Sequence, residues 1–510
     1  MNLREWRTRG RRVLSAHWPM LLLSAVVVWT AVGLHRNGHT WGDDFTLYLR
    51  QAGSLIDGNI GQVIADNHFN VDNAARPGFS PYVYPWGFPI LLAPFYRLFG
   101  LDYAALKLVE VASLVGFLWG FHAIVRRRMN RWPAFCTVAA VGTTLAYLIH
   151  TDKLVSEFPY MAAVVLTLWW LDRLRTDGRA LDLATRRQLV ALGLLAMCVF
   201  NVRREGLAIV AAIGVAQVFD LRGRWRRADR VQIATPYVTF LGSVLLLQLM
   251  LPSALAPQYE GSGLHQTWSK LQGPFRTAFA DQLGFPDLAG IGLLLVVVLV
   301  VAGLVVRLWK SPATDAPLAT FAIGSMVIVG TIPAVADRYL LAITPFAVYF
   351  AAQGIAAIPL PRRLAGGHGG AWLATAFFAA VALVHISDLP SAVRAAQTFN
   401  DSGRVVDGPE SPYAQAAFTA IRTYTHQDDV VAFFKVRALT FYTDRRGVQS
   451  DVLEIVRQRA DYLMMRRGST SSQPLVDDAD AADMGWVAVW SDSDWVLWRL
   501  PTRTNSHESG

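Results

Sequence analysis

Residues 19–35 read PMLLLSAVVVWTAVGLH, an apolar run that follows five arginines within residues 4–12. A helix needs roughly 20 predominantly apolar residues to cross a bilayer, with about 17 as the lower limit. The run is long for the apolar core of a signal peptide, and no small-x-small cleavage site follows it. We therefore expect a retained first transmembrane helix whose amino end lies on the cytoplasmic side.

The composition of the whole chain indicates many such helices. Of its 510 residues, 53% are hydrophobic and only 17% are charged, whereas soluble proteins average about 25% charged residues. So large an apolar excess cannot be buried in soluble cores, which still need a polar surface. An aromatic content of 11% excludes a disordered or collagen-like chain. The composition predicts a polytopic α-helical membrane protein.

The apolar runs predict about 11 transmembrane helices. The shorter runs, 160–171 and 188–201, are expected to extend into Val155–Pro159 and Val202. The predicted spans are about 19–35, 103–125, 132–149, 160–171, 188–201, 206–220, 233–251, 289–306, 317–335, 339–357 and 371–387.

The positive charge of the chain predicts its orientation. The net charge is +9 and only five of the 47 basic residues are lysines. Most arginines stand in short runs between apolar segments, which is typical of cytoplasmic loops and not of a nucleic-acid-binding face. With the amino terminus inside, the runs Arg126–Arg128 with Arg131, Arg173 to Arg187, Arg222 to Arg230, Arg307 with Lys310, and Arg362–Arg363 all fall inside.

The segment Phe88–Phe99 (FPILLAPFYRLF) is apolar but short, and contains Pro89, Pro94 and Arg97. If it crossed the membrane, every later arginine run would change sides. We therefore expect an interfacial or re-entrant helix on the external side. The 11 spans then place the carboxyl terminus outside.

Two domains are predicted: a membrane domain over residues 1–388, with a long first external loop at about 36–102, and an external (periplasmic) α/β domain over 389–510. In the tail, a helix is predicted after Ser411 and Pro412. Short strands are predicted at Val430–Phe434, Tyr462–Met465, Trp486–Trp490 and Trp495–Leu500. The last ten residues or so, PTRTNSHESG, are expected to be disordered.

Two adjacent carboxylates, Asp43 and Asp44, follow the first apolar run in the sequence WGDD (41–44). Such a pair at a membrane surface repels itself and needs a compensating charge, a metal ion or a proton. The alternative is a solvated pair that caps a helix beginning near Phe45. Further on, the prolines and glycine of Tyr84–Pro89 (YPWGFP) predict a rigid turn at the membrane surface, as scaffold or as site.

Cations stand at several predicted external helix ends. Arg203 and Arg204 lie between the fifth and sixth spans, Arg338 precedes the tenth, and Lys107 lies early in the second. Positive residues outside oppose the usual distribution. With Lys153 and the external carboxylates, they predict a pocket for an anionic lipid headgroup.

Other polar residues point to chemistry less directly. Glu157 opens the fourth span, either as a site acid or as an acid stabilised by the helix dipole. Cys136 and Cys198 lie in apolar runs and offer no disulfide framework or CxxC site. Three external histidines lack the spacing of a zinc site: His68, His150 and His265.

Together these features resemble the GT-C superfamily of integral-membrane glycosyltransferases. Within it, the family-39-like group of protein mannosyltransferases, aminoarabinose transferases and lipopolysaccharide-core transferases is most similar. The resemblance covers residues 19–388, and more loosely the tail. Trp86 stands where the family usually has a second proline, and Asp44 where many members have glutamate. The motifs are GDDFTLYLRQA (42–52), YPWGFPILLAPFYRLFG (84–100) with Lys107, and Arg-Tyr-Leu-Leu (338–341).

The resemblance implies transfer of a sugar, a hexosyl or pentosyl group, from a polyprenyl-phosphate donor. The acceptor would be a hydroxyl of a lipid, glycan or protein, at the periplasmic face of the inner (plasma) membrane. It implies inversion at the anomeric carbon, with a carboxylate as general base. Asp43 would be this base, and Asp44 would position the acceptor, assist a cation or share the role. The resemblance leaves open whether a divalent cation, Mg²⁺ or Mn²⁺, takes part; Asp43 and Asp44 would hold it.

The leaving lipid phosphate is an anion, so cationic side chains would stabilise it. Arg338 and one of Arg203 and Arg204 would hold this phosphate. The resemblance gives Glu157 the part of a second acid. Further residues for substrate or phosphate binding are Lys107, Tyr84 and Tyr339.

Three other functions explain part of the pattern. A transporter or flippase for a lipid-linked or anionic solute would place charges in a helical bundle, but predicts paired interrupted helices and a site at mid-membrane. A glycan polymerase or ligase would carry its long external loop late in the chain. A non-catalytic membrane scaffold with an external binding domain is the third.

Overall fold

The computed structural model describes residues 3–74, 81–175, 181–222, 229–255, 291–332, 336–359, 369–469 and 472–501. The side chains of residues 3–16, Asp43, Asp182 and Ile291 lie outside this description. So do His265 and most of the segment PTRTNSHESG, for which we expected disorder.

Helices make up most of the described chain, joined by 3-10 turns at Leu181–Leu183, Arg204–Gly206 and Asp337–Leu340. In chain order they are α1 Leu3–Gly33, α2 Asp43–Asp57, α3 Ile60–Asp72, α4 Gly87–Phe99, α5 Tyr103–Arg126, α6 Arg131–Gly142, α7 Leu145–His150, α8 Glu157–Leu174, α9 Arg186–Val202, α10 Leu207–Leu221, α11 Arg230–Met250, α12 Ile291–Lys310, α13 Pro312–Gly330, α14 Thr344–Ala356, α15 Gly369–Asp401, α16 Pro412–Tyr424, α17 Val436–Thr443, α18 Leu453–Arg459 and α19 Asp478–Asp483.

The strands lie in the carboxyl-terminal part and form a sheet in the order β2-β1-β3-β5-β4. β1 pairs in parallel with β2 and β3, whereas β3 with β5, and β5 with β4, are antiparallel. The strands are β1 Val430–Ala432, β2 Arg446–Val448, β3 Tyr462–Arg466, β4 Val487–Ser491 and β5 Trp495–Arg499. The four predicted strands are thus confirmed within a few residues, and β2 is an addition.

The chain divides into two compact units. The first comprises residues 1–35, 107–249 and 261–398; the second comprises 36–106, 250–260 and 399–510. The first external loop therefore belongs to the same unit as the carboxyl-terminal sheet. The domain boundary that we predicted at residue 388 lies inside α15, because the residues that follow the apolar run continue the helix to Asp401.

Each predicted span is largely helical in the described part of the chain, although Thr143 and Thr144 divide span 132–149 into α6 and α7, and span 339–357 becomes α-helical only at Thr344. Five helices there are long and apolar enough to cross a membrane: Tyr103–Arg126, Arg230–Met250, Gly292–Lys310, Pro312–Gly330 and Gly369–Asp401. The extension to Val202 is confirmed, and that into Val155–Pro159 is confirmed from Glu157 onward, where α8 begins. The chain is a polytopic helical membrane protein, and the count of 11 crossings stays a prediction.

Buried ion pairs show which helix ends meet in the first unit. At the carboxyl end of α5, Arg128 Nε lies 3.1 Å from Asp315 Oδ1 and its Nη2 lies 2.9 Å from Asp172 Oδ1. These residues belong to loops or ends predicted inside. At the amino end of α8, Glu157 meets Arg203, and both were predicted outside. The observed contacts agree with the grouping of helix ends that the arginine distribution predicts.

In the second unit, α2 packs against α4 and α17, and α3 packs against β2 and α17. The sheet separates two buried apolar clusters, one with Phe418, Phe433 and Trp495, the other with Val448 and Trp498. Alternate residues of β5 face the two clusters, as the strand period requires. The helices of the first loop are thereby held on the α/β part of the unit.

Candidate functional site

Asp43 and Asp44 form the first turn of α2, which Gly42 precedes in extended conformation. The Tyr84 hydroxyl donates a hydrogen bond of 2.6 Å to Asp44 Oδ1. The Asp44 side chain is 29% exposed, so the pair lies at an accessible helix amino end, where the dipole favours negative charge. The sequence expected this helix to begin near Phe45, and it begins two residues earlier.

The YPWGFP turn is fixed to α2 by a polar side chain from the helix. The Gln51 amide donates to the Tyr84 carbonyl at 3.0 Å and accepts from the Tyr84 backbone N–H at 3.2 Å. Trp86 is fully buried, and its indole N–H donates to the Pro252 carbonyl at 2.9 Å. Trp86, a departure from the family pattern, is therefore an anchor of the turn, which helps to hold the Tyr84 hydroxyl at Asp44.

Arg437 of α17 completes this acidic end and was not foreseen from the sequence. The side chain is 3% exposed, and its Nη1 lies 3.7 Å from Asp44 Oδ1. It donates to the Tyr84 hydroxyl at 3.1 Å, to Asn67 Oδ1 at 3.3 Å and to the Pro81 carbonyl at 3.2 Å. A buried cation with these acceptors is well satisfied. It supplies the compensating charge that the carboxylate pair requires.

Burial raises the pKa of Tyr84 well above its ordinary value, and the nearby Asp44 charge raises it further. Tyr84 is therefore a neutral phenol that donates to the Asp44 carboxylate. Because Tyr84 and Arg437 already contact one oxygen of Asp44, this carboxylate is suited to a positioning role. The Asp43 side chain, our predicted base, lies outside the described side chains.

A second cluster of predicted residues lies in the first unit. Glu157, the first residue of α8, is 2.9 Å from Arg203 Nη1 and 3.4 Å from Arg338 Nε through its Oε1. The guanidinium groups of both arginines lie over the Tyr339 ring, at 5.1 and 5.4 Å from its centroid. Residues far apart in sequence thus meet as the resemblance implied, with one acid between two cations.

The neighbouring Arg204 and Glu205 complete the charge balance of this cluster. Arg203 Nη2 lies 3.0 Å from Glu205 Oε1, and this ion pair lowers the pKa of Glu205 against the effect of burial. Burial lowers the pKa of Arg204 to about 10, so it is still a cation at neutral pH. These three arginines and two glutamates carry one formal net positive charge, and Asp337 stands beside Arg338 in the same 3-10 turn.

Lys107 differs from the arginines in its surroundings. Its ammonium lies 2.7 Å from Asp152 Oδ1, and the two side chains are 1% and 4% exposed. A buried charge needs such a partner. The ion pair with Asp152 explains why a cation occurs in the second predicted span without invoking a bound ligand. The substrate-binding role that the resemblance gives to Lys107 stays a prediction.

Among the residues that the structure describes, no group of three or more His, Cys, Asp or Glu side chains could hold a metal ion. At Asp44, the guanidinium of Arg437 occupies the position of a countercharge. The divalent cation that Asp43 and Asp44 would hold stays a prediction.

Comparison with solved structures places this architecture among known folds. The chain superposes on ArnT from Cupriavidus metallidurans bound to undecaprenyl phosphate, with a TM-score of 0.55, 13% identity and coverage of 95% of this chain and 98% of that one. It also matches the oligosaccharyltransferase AglB from Archaeoglobus fulgidus in complex with an inhibitory peptide and a dolichol-phosphate. There the TM-score is 0.53, the identity 12%, and the coverage 89% and 70%.

The chain shares the fold of these two structures, in keeping with its resemblance to the GT-C superfamily. No family model matches the sequence, and no curated protein matches it either. At such low identity the similarity concerns the fold. The superposition on ArnT covers 95% of this chain. It therefore includes most of the carboxyl-terminal tail, for which the resemblance in sequence is only loose.

Proposed function

We propose that the chain is a glycosyltransferase that moves a sugar from a polyprenyl-phosphate donor to an acceptor hydroxyl. The observation that carries the proposal is the fold shared over 95% of the chain with ArnT, which was solved with undecaprenyl phosphate. AglB, with the same fold, was solved with a dolichol-phosphate. Both ligands are polyprenyl phosphates, the leaving group that such a donor releases.

The arginines around Glu157 would bind the lipid phosphate. Arg203 and Arg338 present guanidinium groups beside one carboxylate, and bidentate contacts of arginine with phosphate are strong. As the glycosidic bond breaks, negative charge grows on the phosphate, so these cations stabilise the transition state more than the ground state. No general acid is then required for the leaving group.

A carboxylate at the start of α2 would take the proton from the attacking hydroxyl. Asp43 is our assignment for this base, while Asp44, held by Tyr84 and Arg437, would position the acceptor. Direct attack on the anomeric carbon inverts its configuration. We place the reaction on the periplasmic side of the inner membrane, where the arginine distribution puts these helix ends.

The decisive experiment supplies the purified full-length protein with a panel of polyprenyl-phosphate sugars and measures release of polyprenyl phosphate. We expect release from one donor type, and loss of at least about 100-fold in kcat for Asp43→Asn, because general base catalysis contributes about that much. Asp57→Asn is the matched control, since Asp57 is an exposed carboxylate at the other end of α2. Full activity of Asp43→Asn would contradict the assignment of the base.

Arg338→Ala tests the phosphate site in the same assay. We expect a higher KM for the lipid donor, because one charge-assisted contact with phosphate is removed. Arg394→Ala, at an exposed position of α15, is the control. An unchanged donor dependence would exclude Arg338 from the donor site, and absence of release from every donor would contradict the proposed function as a whole.

A further inference from the structure

A cavity of about 430 Å³ lies at the predicted cytoplasmic end of the first unit. The turn between α5 and α6 forms one wall, and α14 and the start of α15 form the other. At the opposite end of α8, which is about 27 Å long by its 18 residues, lies the Glu157 cluster. The cavity is thus separate from the residues to which we assigned sugar transfer.

The lining of the cavity is positively charged. Arg126, Arg127 and Arg128 lie next to one another along the turn, and no acidic residue is among the described lining residues. Arg128 turns inward to Asp172 and Asp315. Arg126 and Arg127 are exposed, and one N–H of Arg126 donates a hydrogen bond to the Met129 carbonyl at 3.2 Å. Two exposed guanidinium groups thus border a space whose described lining residues include no acid.

The opposite wall presents a buried polar group that points to a ligand. Gln353 of α14 is 8% exposed and lines the cavity. In the part of the chain that the structure describes, its side-chain amide nitrogen has no hydrogen-bond partner. A buried donor without an acceptor costs about 1–3 kcal/mol, a cost that an acceptor bound in the cavity would offset.

We propose that this cavity binds the phosphate group of an anionic membrane lipid. Phosphate oxygens accept from the fork of an arginine and from an amide nitrogen alike. Basic pockets between helices at the cytoplasmic side bind such headgroups, which that leaflet is rich in. The lipid would join the α5–α6 turn to α14 and α15, and would stabilise the protein in membranes that contain it.

The test uses the full-length protein in neutral detergent and native mass spectrometry with short-chain phosphatidylglycerol. The double variant Arg126→Gln/Arg127→Gln removes the two exposed charges, and Gln353→Leu replaces the amide donor with an apolar side chain of similar volume. Arg186→Gln/Arg187→Gln is the matched control, because it removes two exposed, adjacent arginines from another helix end predicted inside. Gln353→Glu is a further variant that places a negative charge in the cavity.

We expect each cavity variant to weaken phosphatidylglycerol binding by about tenfold or more, and the control to leave it unchanged. Short-chain phosphatidylcholine should bind more weakly, since its headgroup carries a compensating positive charge. If inorganic phosphate displaces the lipid with the same dependence on the variants, the site accepts phosphate from solution as well. Equal affinity in all variants, or equal loss in the control, would overturn the proposal; sugar transfer need not change in either case.

Discussion

At the scale of single residues, the structure separates two kinds of cation. Arg203 and Arg338 are partly exposed and share Glu157, whereas Lys107 and its partner Asp152 are almost fully buried. The first arrangement can accept an anion, and the second is already neutral. Both kinds look alike in the sequence, where each is a cation at a predicted external helix end.

The Lys107–Asp152 pair should therefore act on stability. We expect Lys107→Met to lower the free energy of unfolding by about 3–5 kcal/mol, because it removes the cation that lies 2.7 Å from the buried Asp152 carboxylate. Adding Asp152→Asn should recover much of that loss. Thermal unfolding of the purified protein measures both effects.

An exposed ion pair provides the control for this experiment. Arg457 and Glu454 lie 3.6 Å apart, with side chains 49% and 61% exposed. Arg457→Met should change stability by at most about 1 kcal/mol. If Lys107→Met instead raised the KM for the lipid donor without loss of stability, the binding role implied by the resemblance would be favoured.

A residue of the candidate site could be predicted from the sequence where its neighbours along the chain mark it, and not where its partners lie far away in the chain. The acidic pair, the YPWGFP turn and the outer arginines were found because each stands out beside an apolar run. Arg437 was missed, since it lies in the tail within VRALTFYT and nothing local marks it. Its role arises from packing of α17 against α2, which only the folded chain shows.

At the scale of elements, apolar runs of sufficient length predicted the helices of the first unit. Short runs rich in strand-forming residues predicted four of the five strands. The sequence did not reveal β2, because Arg-Gly-Val is too short to show a pattern. It also did not reveal α18 and α19, which are short and polar. β2 forms by pairing with β1, and each of the three elements places an apolar residue, Val448, Val456 or Ala481, in one buried cluster.

Close approach of α12 and α14 is the element-scale feature with a direct test. A Cβ added at Gly303 would lie 1.8 Å from the Phe350 carbonyl oxygen, and one at Gly354 would lie 2.3 Å from the Leu299 carbonyl oxygen. Small residues let transmembrane helices pack at backbone distance. We expect Gly303→Ala to destabilise the protein by about 1–3 kcal/mol, since overpacking forces the helices apart.

Gly242 of α11 is the matched control for Gly303. It lies in the interior of another apolar helix, and a Cβ added there would meet nothing within 4 Å. Gly242→Ala should be neutral or stabilising by up to about 1 kcal/mol, through helix propensity. Equal thermal midpoints for the two variants would contradict the close packing of α12 on α14.

At the scale of the whole molecule, orientation depends on whether α4 crosses the membrane. Its 13 residues make a helix of about 20 Å, shorter than the roughly 30 Å of hydrocarbon. If α4 stays on one side, 11 crossings place residue 187 inside and residue 402 outside. If α4 crosses, both positions change sides, and the arginine runs would face outward against the inside rule.

Single cysteines distinguish these topologies. In a background with Cys136→Ser and Cys198→Ser, the variants Arg187→Cys and Ser402→Cys each place one thiol at an exposed position. We expect a membrane-impermeant maleimide to label Ser402→Cys in right-side-out vesicles and Arg187→Cys only in inside-out vesicles. The reverse pattern would mean that α4 crosses, and labelling of both positions from one side would mean that a later span does not. The reverse pattern would place the Glu157 cluster on the side of the membrane opposite to the donor that we propose.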